Sequence, residues 1–180
     1  VSTAGVGAKA TNLEIRQIRA GEGLRLRTLR LHALADAPTA FGSTLAREAA
    51  FPESVWHERA AGGAGGGDRI TLVAEQDGRW VGLVTGLAED PEDPKQSGPV
   101  LGGMFVDGTE RRHGVGAMLV EGVAAWARAR GAARLSLWVT SSNESAIALY
   151  RKCGFRPTGE TKPLAHTPTL AELRMVRDLT

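Results

Sequence analysis

The chain has 180 residues, 42% of them hydrophobic and 23% charged, with 22 basic against 20 acidic side chains and so a formal net charge of +2. That length favours one domain with a proper core. Near charge balance, with no long Lys/Arg block, argues against a dedicated nucleic-acid binder.

No run of about 18 apolar residues is present, so no membrane span is expected. Cys153 is the single cysteine. It excludes an intramolecular disulfide and suits the cytoplasm. Residues 1–11 carry one basic side chain and no long apolar stretch, unlike a signal peptide. They read as a mobile tail before a single domain over residues 12–180.

Residues 13–19 alternate Leu13, Ile15 and Ile18 with charged side chains, slipping at Gln17, and predict a short first strand. Residues 21–35 place Leu24, Leu26, Leu29, Leu31 and Leu34 among arginines, as a helix with one greasy face does. Pro38 ends it, because proline disfavours helix at the residue before. Phe41-Gly42-Ser43-Thr44 reads as a loop into a second helix in two parts, with Pro52 suited to a helix start. The run Gly62-Gly63-Ala64-Gly65-Gly66-Gly67 reads as a flexible connector. Two strands follow, residues 70–75 and 80–87, joined by an Asp77-Gly78 hairpin turn. Residues 90–99 are too polar and proline-rich for a strand.

The stretch from Val100 to Phe155 carries the chemistry. Residues 100–106, VLGGMFV, form a buried-type strand. A turn through Arg111-Arg112-His113-Gly114-Val115-Gly116-Ala117 opens a helix of about four turns, closed by Gly131. Its apolar stripe is Val115, Leu119, Val123, Trp126 and Ala127. A second apolar strand, residues 135–139, precedes a short helix carrying Asn143 and Tyr150. Residues 155–161 and 171–178 then predict two strands, with residues 162–169 a loop holding Pro163 and Pro168.

A helix start leaves free N–H groups and the positive end of the macrodipole. Gly114 and Gly116 bare those amides, and Arg111, Arg112 and His113 add charge, so the turn predicts a phosphate or pyrophosphate seat. A P-loop would continue with Lys-Ser/Thr, but Ala117-Met118 follows. A dinucleotide fingerprint needs a third glycine, where Leu119 stands.

Arg111-x-x-Gly114-x-Gly116, with Asn143-x-x-Ala146-x-x-x-Tyr150 and Cys153-Gly154-Phe155 downstream, resembles the GNAT superfamily of acetyl-CoA-dependent N-acetyltransferases. The match is clear over residues 100–160. The resemblance implies an α/β (α+β) fold: a mixed, mostly antiparallel sheet flanked by helices, with splayed fourth and fifth strands. It implies that amides of residues 111–117 hold the pyrophosphate of acetyl-CoA. It implies too that Met104, Phe105 and Val106 form the cofactor-binding part of the fourth strand, with the backbone of Met104 and Val106 offered to the pantetheine. Phe105 is also an ordinary core candidate, facing the opposite way. Asn143 would add a hydrogen bond to coenzyme A, beside its plainer role as a helix N-cap, which Ser142 could also fill.

Tyr150, the only tyrosine, matches the superfamily's general acid, and a phenol of ordinary pKa about 10 is protonated at neutral pH. Its plainer role is packing a helix on the sheet. Cys153 has no adjacent base and is not read as a nucleophile. The resemblance implies a primary amine as acceptor, of a small molecule first and of a protein second, with homodimers common in the superfamily. A cofactor-binding sensor without chemistry is the other reading. Ribosomal-protein N-terminal acetyltransferases of the superfamily carry a glutamate twelve residues before the tyrosine, where this chain has Trp138. Glu48, Glu75, Glu89, His32 and Asp36 remain as bases, none assigned. Phe41, Trp138 and His166 are candidates for lining the acceptor side.

Overall fold

The computed structural model describes residues 11–180. The expected tail, but for its last residue, lies outside them. Seven strands follow the alternating and apolar stretches: β1 (Leu13–Gln17), β2 (Arg69–Gln76), β3 (Arg79–Leu87), β4 (Val100–Val106), β5 (Arg134–Thr140), β6 (Arg156–Leu164) and β7 (Thr167–Asp178). Five α-helices intervene: α1 (Gly23–Asp36), α2 (Leu45–Ala49), α3 (Glu53–Gly65), α4 (Val115–Ala129) and α5 (Glu144–Lys152). The strands form one sheet in the order β1-β2-β3-β4-β5-β7-β6. Every neighbouring pair is antiparallel except β4 with β5.

Helix α4 covers one face. Val115, Leu119, Val120, Val123, Ala124 and Ala127 are buried against Leu72, Val84, Leu101, Leu135 and Leu137. Each large side chain so placed contributes about 1.5–3 kcal/mol over exposure. Trp126, expected within the stripe, lies at its edge and donates from Nε1 to Gly66 O at 3.0 Å.

Helices α1 and α3 cover the other face. Leu26, Leu29, Leu34 and Trp56 pack with Val73, Leu83 and Phe105. Leu24 is the exception to the predicted greasy face. It is 50% exposed, because two residues before Leu26 is about 200° around a helix.

Two expectations are corrected. The glycine run is not a connector, since α3 continues to Gly65. A Cβ on Gly63 would stand 2.4 Å from Thr71 Oγ1, so glycine there lets α3 lie close on β2. The predicted loop over residues 162–169 is instead a tight hairpin, with β6 reaching Leu164 and β7 starting at Thr167. Pro163 is tolerated because β6 is an edge strand, where a missing N–H breaks no second ladder, and Pro168 because it precedes Glu172, where β7 pairing with β5 ends.

The sheet opens between β4 and β5. Their pairing is confined to Val100↔Ser136 and Leu101↔Leu137. On its other side β4 pairs Gly102 with Thr85 and Phe105 with Leu83, so Gly103 and Met104 oppose Val84 alone. This is a β-bulge, and Gly103 takes φ +60° within it. A bulge bends its strand and re-aims the residues that follow. From Gly102 onward β4 has no strand partner on the β5 side.

Candidate active site

The opening between β4 and β5 faces the start of α4. Gly114 is the N-cap there, at φ +82°, a left-handed conformation that a residue with a Cβ adopts only at a cost. A Cβ on Gly114 would meet no atom within 4 Å, so the space above this turn is open. Met118 N–H is the first in α4 to bond back, to Gly114 O at 3.1 Å. The amides of Val115, Gly116 and Ala117 therefore lie at the positive end of the dipole with no partner in the helix. Exposed amides over open space fit a diphosphate.

Gly116 has a different role from Gly114. A Cβ there would stand 2.9 Å from Leu149 Cδ2 and 3.6 Å from Met104 Cε. Its missing side chain lets α5 and β4 approach α4. The side chains before the helix also divide. Arg111 donates from Nη2 to Asp36 Oδ2 at 2.5 Å and from Nε to Val106 O at 3.0 Å. Its charge is thereby offset, and it ties the turn to α1 and β4. Arg112 and His113 are exposed. His113 Nδ1 lies 3.7 Å from Glu110 Oε2.

The β4 side chains alternate as expected. Met104 and Val106 pack toward α4. Phe105 is buried in the opposite core, its ring nearly perpendicular to that of His32 with the centroids 5.7 Å apart. Asn143 caps α5, its Oδ1 accepting from Ala146 N at 3.3 Å, so the capping role falls to Asn143 and not Ser142.

Tyr150 lies on the buried face of α5, with the Phe155 ring 5.8 Å away. Burial pushes its pKa well above the ordinary 10, with Cys153 adding to the rise. Among the described residues no hydrogen bond engages its hydroxyl, which leaves an O–H donor free. Burial also raises the Cys153 thiol. This keeps it protonated and agrees with a non-nucleophilic reading.

Across the sheet, on the α1 face, His166 and Phe41 hold each other while Trp138 is held by a different segment. His166 Nε2 lies 2.7 Å from Phe41 O, Trp138 Nε1 donates to Asp90 Oδ2 at 3.0 Å, and Thr140 Oγ1 donates to Thr39 O at 2.7 Å. The Phe41 side chain itself is core, only 6% exposed. Lys162 Nζ stands 4.5 Å over the Trp138 ring and 3.8 Å from Glu172 Oε2. Glu172 was not foreseen. Its carboxyl is pushed up by burial against the pull of Lys162, and nothing local in the sequence marks it, because its place depends on the Thr140↔Glu172 register.

The five base candidates are dispersed. Glu75 accepts from Arg16 at 2.6 Å and from Trp80 at 3.0 Å on the far side of the sheet. Glu48 is buried between two arginines, Asp36 is paired with Arg111, and Glu89 is exposed. His32 Nε2 lies 3.8 Å from Asp107 Oδ2. A separate cavity of about 570 Å³, lined in part by Ser97, Arg134 and Arg174, lies by the start of β5, where β4 and β5 are still paired.

The parted sheet, the glycine-capped helix and the phenol on the next helix lie within or beside the stretch that a known family profile matches. The chain belongs to the acetyltransferase (GNAT) family, whose sequence profile matches residues 31–155. Acetyl transfer from acetyl-CoA is the chemistry of that family. Over 89 residues the chain is 35% identical to human N-acetyltransferase 8, a stretch covering 49% of this chain and 39% of that protein. The fold is shared with a GNAT acetyltransferase from Streptococcus pneumoniae, at TM-score 0.76 and 23% identity over 94% of this chain and all of that one. It is shared also with yncA from Salmonella typhimurium, solved with its cofactor acetyl-CoA, at TM-score 0.74 and 19% identity over 94% and 95% of the two chains. Among the described residues no helix is long and apolar enough to cross a membrane.

Proposed function

We propose that residues 12–180 act as one domain that moves an acetyl group from acetyl-CoA directly to a primary amine of a small molecule, both substrates being bound together. The observation that carries this reading is the free Tyr150 hydroxyl on α5, the helix packed beside Gly116 at the start of α4. In this reading the amides of residues 111–117 receive the diphosphate, and the unpaired edge of β4 from Gly102 to Val106 pairs with the pantetheine as an added strand would. Asn143, whose side-chain oxygen caps α5, lies near the same cofactor.

Bound acetyl-CoA supplies an activated acyl carbon. The amine nitrogen attacks that carbon, the carbon–sulfur bond breaks with its electron pair going to sulfur, and the proton that nitrogen sheds passes through solvent to the thiolate, giving the amide and the free thiol of coenzyme A. The role of Tyr150 is to present its O–H to the departing sulfur. Its pKa lies above that of a thiol, so in the resting site a strong hydrogen bond is favoured over complete proton transfer. The half-buried, protonated Cys153 suits a reducing compartment such as the cytoplasm.

The test is thiol release from acetyl-CoA across a library of small amines, with calorimetry for acetyl-CoA alone and a lysate incubation read for acetylated lysines and N-termini. Release with small amines supports the reading. Acetylation of proteins alone moves the acceptor to a protein. Binding without release from any acceptor makes the chain a sensor, the reading that Trp138 in place of a glutamate favours.

A further inference from the structure

Arg30 on α1 is an acceptor-face side chain whose donors are only partly used. Its Nε and Nη2 donate to the two oxygens of Glu48, at 3.1 and 2.9 Å, and its guanidinium lies 4.7 Å over the Phe41 ring. Nη1 has no partner among the described residues. It stands 3.9 Å from the position a Cβ on Gly103 would occupy. Gly103 is the bulge residue at which β4 parts from β5. The free N–H groups therefore border the opening from the α1 side, over a residue with no side chain to fill the space.

The charge around Arg30 is unbalanced. Glu48, 2% exposed, is shared with Arg59, whose Nη1 reaches Oε2 at 3.0 Å. One carboxylate faces two guanidiniums. Desolvation alone would raise the Glu48 carboxyl, but the arginines more than offset it and hold it ionised. One positive charge is left in a half-buried cluster, and a guanidinium already clamped on two sides needs little further ordering to accept a ligand.

We infer that Arg30 Nη1 receives an anionic oxygen group of the acceptor, so that the acceptor is an amine carrying a carboxylate. The inference rests on the acetyltransferase reading and goes beyond it by naming the acceptor's chemistry. Arg30 anchors the acceptor end that does not react, while the amine reaches the thioester through the opening. A hydrogen-bonded, partly desolvated ion pair of this kind discriminates by about tenfold or more against a neutral analogue.

The experiment measures kcat/KM on amino acids paired with their carboxamides, for the full chain and for Arg30→Lys, Arg30→Gln and Arg59→Gln. Arg59→Gln takes one partner and the surplus charge from Glu48 without touching Nη1, so the preference should weaken there but persist, which separates damage to the cluster from loss of the anchor itself. Calorimetry with acetyl-CoA checks that each variant is folded. A preference of about tenfold or more for the free carboxylate, lost through KM in Arg30→Gln and kept, though weaker, in Arg59→Gln, supports the inference. If the Arg30 variants fail to fold, the preference of the unaltered protein decides. Equal turnover of both pair members, turnover of neutral amines alone, a preference that survives Arg30→Gln, or one lost equally in Arg59→Gln overturns it and leaves the transferase standing. A fall in kcat alone on both pair members also overturns it, since Arg30 then acts on the reacting group. Absence of thiol release from every amine overturns the transferase reading itself, and this inference with it.

Discussion

A methyl group on Gly116 would come within 2.9 Å of Leu149 Cδ2. The contact joins the turn that bares the α4 amides to the helix that carries Tyr150. Any shift of α5 to relieve it moves the phenol.

Gly116→Ala is therefore expected to affect two properties together. Overpacking a close contact costs about 1–3 kcal/mol, and the low end applies because Leu149 presents a flexible tip. Acetyl-CoA affinity is expected to fall by about tenfold, since the same turn supplies the anion seat. Thermal melting and calorimetry on the variant check both.

Tyr150→Phe removes one oxygen from a site where no partner among the described residues uses it. The fold should tolerate this with a small change in melting temperature. Turnover is expected to fall by about a hundredfold or more, with acetyl-CoA affinity nearly unchanged. Because burial raises the phenol above its ordinary 10, Tyr150 should give no alkaline limb below that pH. Unchanged turnover in single-turnover kinetics would remove Tyr150 from the mechanism.

Acid stability should depend on Glu22. The Arg16 guanidinium, 2.7 Å away, holds the Glu22 carboxyl down at about 2 from the ordinary 4.5. A depressed carboxylate stabilises the fold above its unfolded pKa, and that contribution is lost as pH falls through 4.5 toward 2. Glu22→Gln is expected to lower stability near pH 7 by on the order of 2 kcal/mol and to flatten the melting-temperature curve in that acid window. A curve of unchanged steepness there would exclude the pair as its cause.

Of the three glycines near the end of α3, Gly63 and Gly65 should respond differently. Gly63→Ala drives a methyl into Thr71, where the Cβ position is 2.4 Å from Oγ1, and is expected to cost about 1–3 kcal/mol. At Gly65 no atom lies within 4 Å, so Gly65→Ala should be neutral or stabilising by up to about 1 kcal/mol. Denaturant unfolding of both variants separates packing from mere glycine content.

Much of the molecule was legible without coordinates, and the reasons are local. Asp77-Gly78 forecast a tight hairpin because positive φ is needed at both central positions, and the two residues take +49° and +80°. The stripe on α4 was readable because helical period alone gathers Val115, Leu119 and Val123. The Phe105 side chain, opposite in sense to Met104 and Val106, followed from strand alternation.

The failures were tertiary. Glycines at 62–67 looked like a linker because composition cannot reveal that Thr71 and Ile18 press on the helix. Pro163 looked like a loop residue because edge position is a property of the whole sheet, and Pro168 because the point where β7 leaves β5, at Glu172, is set by tertiary register. Arg111 read as charge for a phosphate until Asp36, 75 residues away, was found beside it.

The amino-acid sequence by itself determined the kind of machine. Backbone conformation at Gly114, a helix start behind it and a lone tyrosine at fixed spacing are short-range facts, set by sterics and hydrogen bonding within a few residues. Only the tertiary structure decided which charges are balanced and which are left over. The partners of Arg111, Glu172 and Arg30 come from distant segments, and their pairing depends on register, on the bulge at Gly103 and on how the helices settle against the sheet.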